Sequence, residues 1–196
     1  MTNKLPRADR RAQLLDTAYA IVREHGTDAL TLGALAKEAG VSKPIAYSHF
    51  ETRSGLLTAL YQEINERRLA AVAAELTDTP ANLPAIARML AAAYMSCHAA
   101  LGPEWHAIGA AMQGDAAMHA CHERIIDGYV DFFHDALAPV SPLASAPLRR
   151  RCIGIIGAAE ALSAAMVRGR VSERLAAADL ESLIVAALVP AASAVD

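Results

Sequence analysis

The chain of 196 residues has few of the residues that build β-sheets or disulfide-bonded cores. Aromatic residues make up 5% of it, and it contains three cysteines, Cys97, Cys121 and Cys152. They are widely spaced and form no CxxC pair, so we expect reduced thiols rather than a disulfide framework. The hydrophobic fraction of 54% is rich in alanine, which favours packed helices over sheets. The composition therefore predicts an all-α chain.

The sequence also lacks long apolar runs. Its most apolar C-terminal stretch, residues 183–195, contains Pro190 and is too short to cross a membrane. The first residues are charged and lack the apolar core of a signal peptide. We therefore expect a cytoplasmic protein with no membrane partner.

Neither a strong positive charge nor a familiar catalytic motif is present. The net charge is −3, so any nucleic-acid surface must be local. Residues 1–53 hold eight Lys or Arg against six Asp or Glu, which leaves the excess of acidic residues in 54–196. No HExxH, GxSxG or GxxxxGK pattern occurs. We expect no enzyme activity and no cofactor.

Apolar residues instead recur at helical spacing along most of the chain. Glycine and proline interrupt the pattern, notably at Gly102, Gly114, Gly169 and the stretch from Pro139 to Pro142. Residues 77–84 are predicted to be a junction. The nine predicted helices cover residues 9–25, 31–39, 42–50, 53 to beyond 69, 84–100, 103–113, 115–137, 146–168 and 176–189.

Residues 35–50 predict a helix, a tight turn and a second short helix. Thr31 can cap the first of these helices, and Ser42 the second, in whose first turn Pro44 is tolerated. Gly40 permits a positive φ at the turn, and Val41 fills the angle between the helices. This geometry leaves the second helix protruding, as a helix that enters the major groove of DNA must.

The residues around this turn resemble the DNA-binding signature of the TetR family of transcriptional regulators. The matching residues are Thr31, Leu35-Ala36, Ala39-Gly40-Val41-Ser42, Tyr47, His49-Phe50, Arg53 and Leu56-Leu57. The resemblance implies a three-helix helix-turn-helix domain in residues 1–53 and a helical ligand-binding and dimerisation domain in residues 54–196. It also implies a repressor that binds a pseudo-palindromic operator as a homodimer and leaves it when a small effector binds.

The resemblance assigns roles to individual residues of the first domain. Tyr47, His49, Thr31 and the start of the fourth helix would contact phosphates, including Arg53, which stands where the family usually has lysine. Ala46 stands where the family usually has a larger apolar residue. The predicted DNA-binding residues are Thr31, Ser42, Lys43, Pro44, Ile45, Tyr47, Ser48, His49 and Arg53.

Two parts of this assignment leave alternatives open. Tyr47, His49 and Phe50 also suit an aromatic cluster that packs an ordinary helix, and we place Phe50 in the core. The basic residues Lys4, Arg7, Arg10 and Arg11 suit either a solvated tail or an arm in the adjacent minor groove.

The last two predicted helices suggest a dimer interface. Residues 152–159 are apolar nearly all round the helix, so a partner must cover part of it. Two such helices from each subunit would form a four-helix interface, as in the family. The alternative is packing within one chain. The predicted interface residues are Gly154, Gly157, Ala158, Ala161, Leu180, Leu183, Ile184 and Leu188.

Large polarizable side chains concentrate on the middle helices, where family members hold effectors. They suit a largely apolar or aromatic effector with one or two hydrogen-bonding groups, although each is also compatible with ordinary core packing. The predicted pocket residues are Tyr94, His98, Trp105, His106, Met112, Met118, His122, Tyr129 and Phe133. His119, Cys121 and His122 suggest a metal site only weakly, since Cys121 points away from the histidines, and we expect no metal.

Two other functions compete with a ligand-responsive regulator. A helical binding protein or enzyme with a vestigial DNA-binding module would not select a DNA sequence. A nucleoid-associated protein would bind any duplex with similar affinity.

Overall fold

The structure is a computed structural model that describes residues 5–111 and 116–189. Within these ranges the chain forms eight α-helices and no strand, which confirms the predicted all-α fold. The helices are α1 (Arg7–His25), α2 (Leu32–Glu38), α3 (Lys43–Phe50), α4 (Arg53–Thr77), α5 (Leu83–Ala111), α6 (Ala116–Leu137), α7 (Ser145–Val167) and α8 (Glu173–Leu188). Short 3₁₀ turns occupy Thr27–Ala29 and Ala138–Val140. No helix in the described ranges combines the length and apolar character needed to cross a membrane.

The described residues cluster into two compact units. The first lies within Met1–Glu66 and Glu104–His122, and the second within Arg67–Pro103 and Glu123–Asp196. Helices α4, α5 and α6 each contribute to both units. The functional boundary that we predict at residue 53 coincides with the start of α4 and stays a prediction.

In the first unit, α1, α2, α3 and the start of α4 share one apolar core. Their buried side chains recur at the predicted helical spacing, so each helix turns one face inward. Burial of this apolar surface stabilises the unit. The fully buried large side chains here are Leu14, Leu15, Leu30, Leu35, Leu56, Leu57 and Leu60.

The second unit has its own core, and α8 supplies much of it. Leu180, Ile184 and Leu188 are at most 1% exposed and pack in the same cluster as Cys152 and Ile156 of α7. This corrects the prediction that these three leucine and isoleucine residues form an interface, because they present no surface to a partner. An apolar face on a single helix does not distinguish packing within a chain from packing between chains.

The described part of the chain forms one α-helix fewer than the nine predicted, because α5 runs without a break through Gly102 and Pro103. Proline inside a helix removes one hydrogen bond and crowds the preceding turn, which weakens the helix without always ending it. The break expected at Gly114 lies outside the described residues. The break at Gly169 is confirmed: its φ is +71°, and its N–H donates to Met166 O at 2.9 Å.

Candidate nucleic-acid interface and ligand cavity

The turn between α2 and α3 closes with a pair of backbone hydrogen bonds. Val41 N donates to Ala36 O at 2.9 Å, and Gly40 N donates to Lys37 O at 3.2 Å. This pairing is a Schellman motif, which requires a left-handed residue after the helix. Gly40 supplies it with a φ of +65°, as predicted. The turn therefore sets the angle at which α3 leaves α2.

Both predicted caps occupy the N-cap positions, but only one of the two side chains forms a capping bond. Thr31 Oγ1 accepts from Ala34 N at 3.0 Å at the start of α2, as expected. Ser42 makes no side-chain cap at α3. Pro44 has no N–H to offer, and the N–H of Ile45 already donates to Ser42 O at 3.0 Å, so no donor of the first turn points at the Ser42 hydroxyl.

Helix α3 is held by few side chains and exposes most of its surface. Ala46 is fully buried and Phe50 is 4% exposed, which confirms Phe50 as a core residue. Ala46 is small enough to let α3 lie close to the helices beneath it. The exposed residues are Lys43, Pro44, Ile45, Tyr47 and Ser48, with His49 half-buried.

The junction between α3 and α4 is equally constrained. Glu51 adopts a φ of +59°, which is rare for a residue with a side chain. Thr52 Oγ1 then accepts from Gly55 N at 2.9 Å and caps α4. A Cβ atom on Gly55 would overlap the carbonyl oxygen of Phe50. Glycine is therefore required at 55 by close approach of two backbones, a role that the sequence analysis did not find.

Arg53 ties the start of α4 to the 3₁₀ turn that precedes α2. Its Nε donates to Leu30 O at 2.9 Å and its Nη2 to Thr27 O at 2.7 Å, with Asp28 Oδ1 at 3.7 Å. We predicted a phosphate contact for Arg53. The structure instead places two of its nitrogens on backbone carbonyls, so its main observed role is to position neighbouring segments.

Basic residues of α1 surround the end of α3. Arg7, Arg10 and Arg11 lie in α1 rather than in a tail, and Lys4 lies outside the described residues. The Arg11 guanidinium sits 5.2 Å from the centre of the Phe50 ring. Partial burial lowers the pKa of His49 below 6.5, and the positive charges of Arg7, Arg11 and Arg10 lower it further. His49 is therefore mainly neutral at pH 7 in the free protein.

Four of the predicted pocket residues line one cavity in the second unit. Tyr94, His98, Tyr129 and Phe133 meet there, in a space of about 20 Å³. That is room for roughly one water molecule. The cavity also contains Arg68, which is 9% exposed and which the sequence analysis missed, because an arginine in a helix usually indicates a solvated face.

The other predicted pocket residues do not line this cavity, or their side chains lie outside the described structure. Met118 lines a surface groove of the first unit with His49 and Gln62. His122 Nδ1 lies 3.0 Å from Tyr61 Oη in that unit, which corrects its assignment to the pocket. Met112 lies outside the described residues, as do the side chains of Trp105 and His106.

The predicted interface residues that are not in the core differ in their exposure to solvent. Gly154, Gly157 and Ala161 are exposed on α7 and Ala158 is half-buried, whereas Leu183 is exposed on α8. Ile153 of α7, which we did not predict, is 57% exposed. Exposed apolar side chains therefore lie on both helices, Ile153 on α7 and Leu183 on α8.

Comparison with known proteins agrees with the fold and with the turn. Residues 14–60 match the family model of bacterial regulatory proteins, tetR family. The chain is 36% identical over 80 residues to the HTH-type transcriptional activator FasR of Mycolicibacterium smegmatis, an alignment that covers 41% of this chain and 36% of FasR. The chain thus spans about a third of the length of the curated relatives that it matches.

Solved structures cover nearly the whole chain. A TetR-like transcriptional regulator from Rhodococcus sp. RHA1 superposes with a TM-score of 0.68 at 22% identity, over 96% of this chain and 100% of the other. FadR from Bacillus subtilis, solved with stearoyl-CoA, gives 0.64 at 16% identity, over 92% and 99%. At these sequence identities, both similarities show a shared fold.

The turn geometry and these matches define a helix-turn-helix protein. More specifically, residues 14–60 are similar to the tetR family of bacterial regulatory proteins, and solved structures described as TetR-family regulators share the fold of the described chain.

The contacts of Arg53 predict that Arg53→Lys destabilises the first unit. A single ammonium cannot reproduce the two-carbonyl geometry of the planar guanidinium, so we expect the free energy of unfolding to fall by about 1 kcal/mol. Urea denaturation followed by circular dichroism measures it. Arg7→Lys at the exposed start of α1 is the matched control, and an equal loss in both variants would contradict the proposed tie.

The lowered pKa of His49 predicts a pH-dependent stability. The unfolded chain protonates His49 near pH 6.5 and the folded chain only at lower pH, so the unfolded state binds more protons in this window. The free energy of unfolding should therefore fall as pH drops from 7.5 through 6.5. In the variant His49→Gln this loss of stability at low pH should be smaller than in wild type, whereas the control variant His25→Gln, at an exposed position, should lose as much stability as wild type. Denaturation midpoints at pH 5.5 and at pH 7.5 measure the loss. An equal shift of the midpoint between these two pH values in His49→Gln and in wild type would refute the prediction.

Proposed function

We propose that the chain is a ligand-responsive transcriptional repressor that binds a pseudo-palindromic operator as a homodimer through α3. A small, largely apolar or aromatic effector releases it. One observation carries this proposal: six of the seven large apolar side chains that are exposed in the described residues lie on α3 or on the α7–α8 region. Exposed apolar side chains that are concentrated in a few regions usually mark surfaces that contact a partner.

The surface of α3 suits base recognition. Tyr47 is 51% exposed and Ile45 36% exposed, next to exposed Lys43, Pro44 and Ser48. A lysine can donate to guanine acceptors, and an apolar side chain can contact a thymine methyl group. The N-terminal part of α3 enters the groove first, so we expect its side chains to contact the bases directly.

Phosphate contacts would orient the module without adding sequence information. The Tyr47 hydroxyl and His49 lie toward the end of α3, and Arg7, Arg10 and Arg11 bring positive charge close enough to alter the pKa of His49. This local charge offsets the net charge of −3 of the whole chain, because charges beyond about 10 Å are largely screened at ordinary salt.

A second copy of the chain is the proposed partner of the α7–α8 surface. Ile153 and Val189 are each 57% exposed, and Leu175 and Leu183 are each 46% exposed. The exposed small residues Gly154, Gly157 and Ala161 allow close approach of a neighbouring helix. A two-fold dimer that binds successive major grooves needs its two copies of α3 about 34 to 36 Å apart, one turn of B-DNA.

The cavity of the second unit is the proposed effector site. FadR from Bacillus subtilis, which has a similar fold, was solved with stearoyl-CoA, so a helical body of this kind can hold a ligand that carries a long apolar chain. The effector needs only to favour one conformation over another. A coupling of about 1 to 3 kcal/mol changes operator affinity roughly 5- to 150-fold.

Footprinting on the DNA upstream of the chain's own coding sequence tests the operator proposal. We expect one protected pseudo-palindrome and a loss of affinity of about tenfold or more in Tyr47→Phe, because the variant loses only a hydrogen bond to a charged phosphate. Tyr19→Phe on α1 is the matched control.

Three outcomes would contradict it. Absence of any discrete footprint would favour a vestigial module. Equal affinity for the upstream fragment and for a random duplex, at one salt concentration, would favour a nucleoid-associated protein. Unchanged binding by Tyr47→Phe would remove Tyr47 from the interface.

The dimer proposal predicts that Ile153→Asp dissociates the protein. Placing a charge in an apolar interface leaves it buried without a partner, which is strongly unfavourable. Sedimentation velocity should show dimers for wild type and single chains for the variant. Leu5→Asp, at another exposed leucine, should remain dimeric. Single chains of the wild-type protein at micromolar concentration would contradict the proposal.

A further inference from the structure

Three side chains at the end of α6 and the start of α7 form a continuous series of hydrogen bonds. His134 Nε2 lies 3.0 Å from Ser145 Oγ, and His134 Nδ1 lies 2.9 Å from Asp135 Oδ1. All three residues belong to the second compact unit. A hydroxyl, an imidazole and a carboxylate joined in this order are the groups that activate a serine as a nucleophile.

The carboxylate of Asp135 determines which nitrogen of His134 carries the hydrogen. A carboxylate oxygen only accepts, so Nδ1 of the neutral imidazole carries a hydrogen and donates it. The neutral ring has no second N–H, so Nε2 accepts from the Ser145 hydroxyl. The lone pair of Nε2 is therefore directed at the proton that must leave when Ser145 Oγ attacks an electrophile.

Packing around these residues holds the histidine and the serine in place. Leu137 of α6 and Leu148 of α7 are at most 1% exposed and belong to one core cluster. The connection between the two helices is short and includes the 3₁₀ turn Ala138–Val140. The His134 side chain is only 19% exposed, which limits the freedom of its ring to turn away from Ser145. A general base that is held in this way keeps its geometry.

The two helix ends favour the charges that develop when Ser145 attacks. His134 lies in the last turn of α6, where the partial negative charge of the helix end stabilises an imidazolium. Ser145 is the first residue of α7, whose N-terminus has no side-chain cap. The N–H groups of Ser145 and Ala146 therefore lie at a helix end that has partial positive charge, which stabilises an oxyanion.

Ser145 is also exposed, so a small electrophile can reach its hydroxyl. The sequence analysis did not find this site, because it searched for contiguous motifs such as GxSxG. Here the serine follows the histidine by eleven positions, and the fold brings them together.

We propose that Ser145 is an activated nucleophile that accepts the acyl group of small activated aryl esters. His134 is its general base, and Asp135 is the residue that positions His134. This reactivity goes beyond the proposed function, and neither depends on the other.

The reaction has two steps. In the first, Ser145 Oγ forms a bond to the ester carbonyl carbon, its proton passes to His134 Nε2, and the aryl oxide departs with the electron pair of the broken C–O bond. His134 then releases that proton to solvent. In the second, water attacks the acyl carbon and gives a proton to His134, which returns it to Ser145 Oγ as the carboxylic acid departs.

A fluorophosphonate tests the nucleophile on the full chain, because attack by a serine at phosphorus releases fluoride and leaves an adduct that peptide mass spectrometry can locate. Ser48 is the internal control: it is exposed too, but its Oγ donates at 2.8 Å to Ile45 O, and a backbone carbonyl is too weak a base to take the proton. We expect Ser145 to be labelled about tenfold or more faster than Ser48, since a positioned general base contributes roughly 10²- to 10⁴-fold in rate. No adduct at Ser145, or equal rates at the two serines, would overturn the proposal.

Release of 4-nitrophenolate from 4-nitrophenyl acetate tests the ester chemistry. Wild type should release it about tenfold or more faster than Ser145→Ala, in which the attacking oxygen is absent. Circular dichroism checks that the variant folds, as expected for a substitution at an exposed position. Equal release by both proteins would show that the ester reacts elsewhere and would overturn the proposal.

Substitutions of His134 and Asp135 test their assigned roles. His134→Gln should slow labelling of Ser145 about tenfold or more, whereas His25→Gln, at an exposed histidine beside Glu24, should leave it unchanged. Asp135→Asn should also slow labelling, and Asp135→Glu should restore part of the rate because it keeps a carboxylate. An unchanged rate in a folded His134→Gln would overturn the proposal, and an unchanged rate in Asp135→Asn would overturn the positioning role of Asp135.

These measurements need no DNA, so they separate the reactivity of Ser145 from the proposed function. If Ser145 is labelled and no footprint forms, the nucleophile stands and the operator proposal fails. If the footprint forms and Ser145 is not labelled, the operator proposal stands and the nucleophile fails.

Discussion

The presentation of α3 depends on backbone geometry at its two ends more than on burial along its length. Two of its eight side chains, Ala46 and Phe50, are buried. The Schellman turn at Gly40 fixes how α3 begins, and the close approach of Gly55 to the Phe50 carbonyl fixes how it ends. Because most of α3 stays available for a partner, its orientation must be set by residues that never touch that partner.

Much of this arrangement was predictable from local patterns. Helical spacing of apolar residues predicted α1 to α4, and glycine at position 40 predicted a left-handed turn, because few other residues adopt that φ at low cost. Thr31 was predictable as a cap because its hydroxyl oxygen can accept from an N–H of the first helical turn. The tie made by Arg53 was not, since it joins residues 23 and 26 positions apart. Nothing in the neighbourhood of an arginine reveals which distant carbonyl it will meet.

In the second unit, even more of the structure depends on contacts between distant residues, which the sequence does not predict. Leu180, Ile184 and Leu188 form an apolar stripe that fits either a core or an interface, and the chain uses it as core. Tyr94, His98, Tyr129 and Phe133 line one cavity because they lie in the parts of α5 and α6 that belong to the second unit, whereas Met118 and His122 lie in the part of α6 that belongs to the first. Arg68 escaped prediction because its burial depends on how three helices meet.

Helix α4 connects these observations, because it carries Arg53 near its start and Arg68 fifteen residues later. Arg53 holds the segment beside α2, and Arg68 lines the cavity. Helix α4 therefore contributes residues to both units. Under the proposed function, coupling requires only that a ligand favour one conformation of the chain over another.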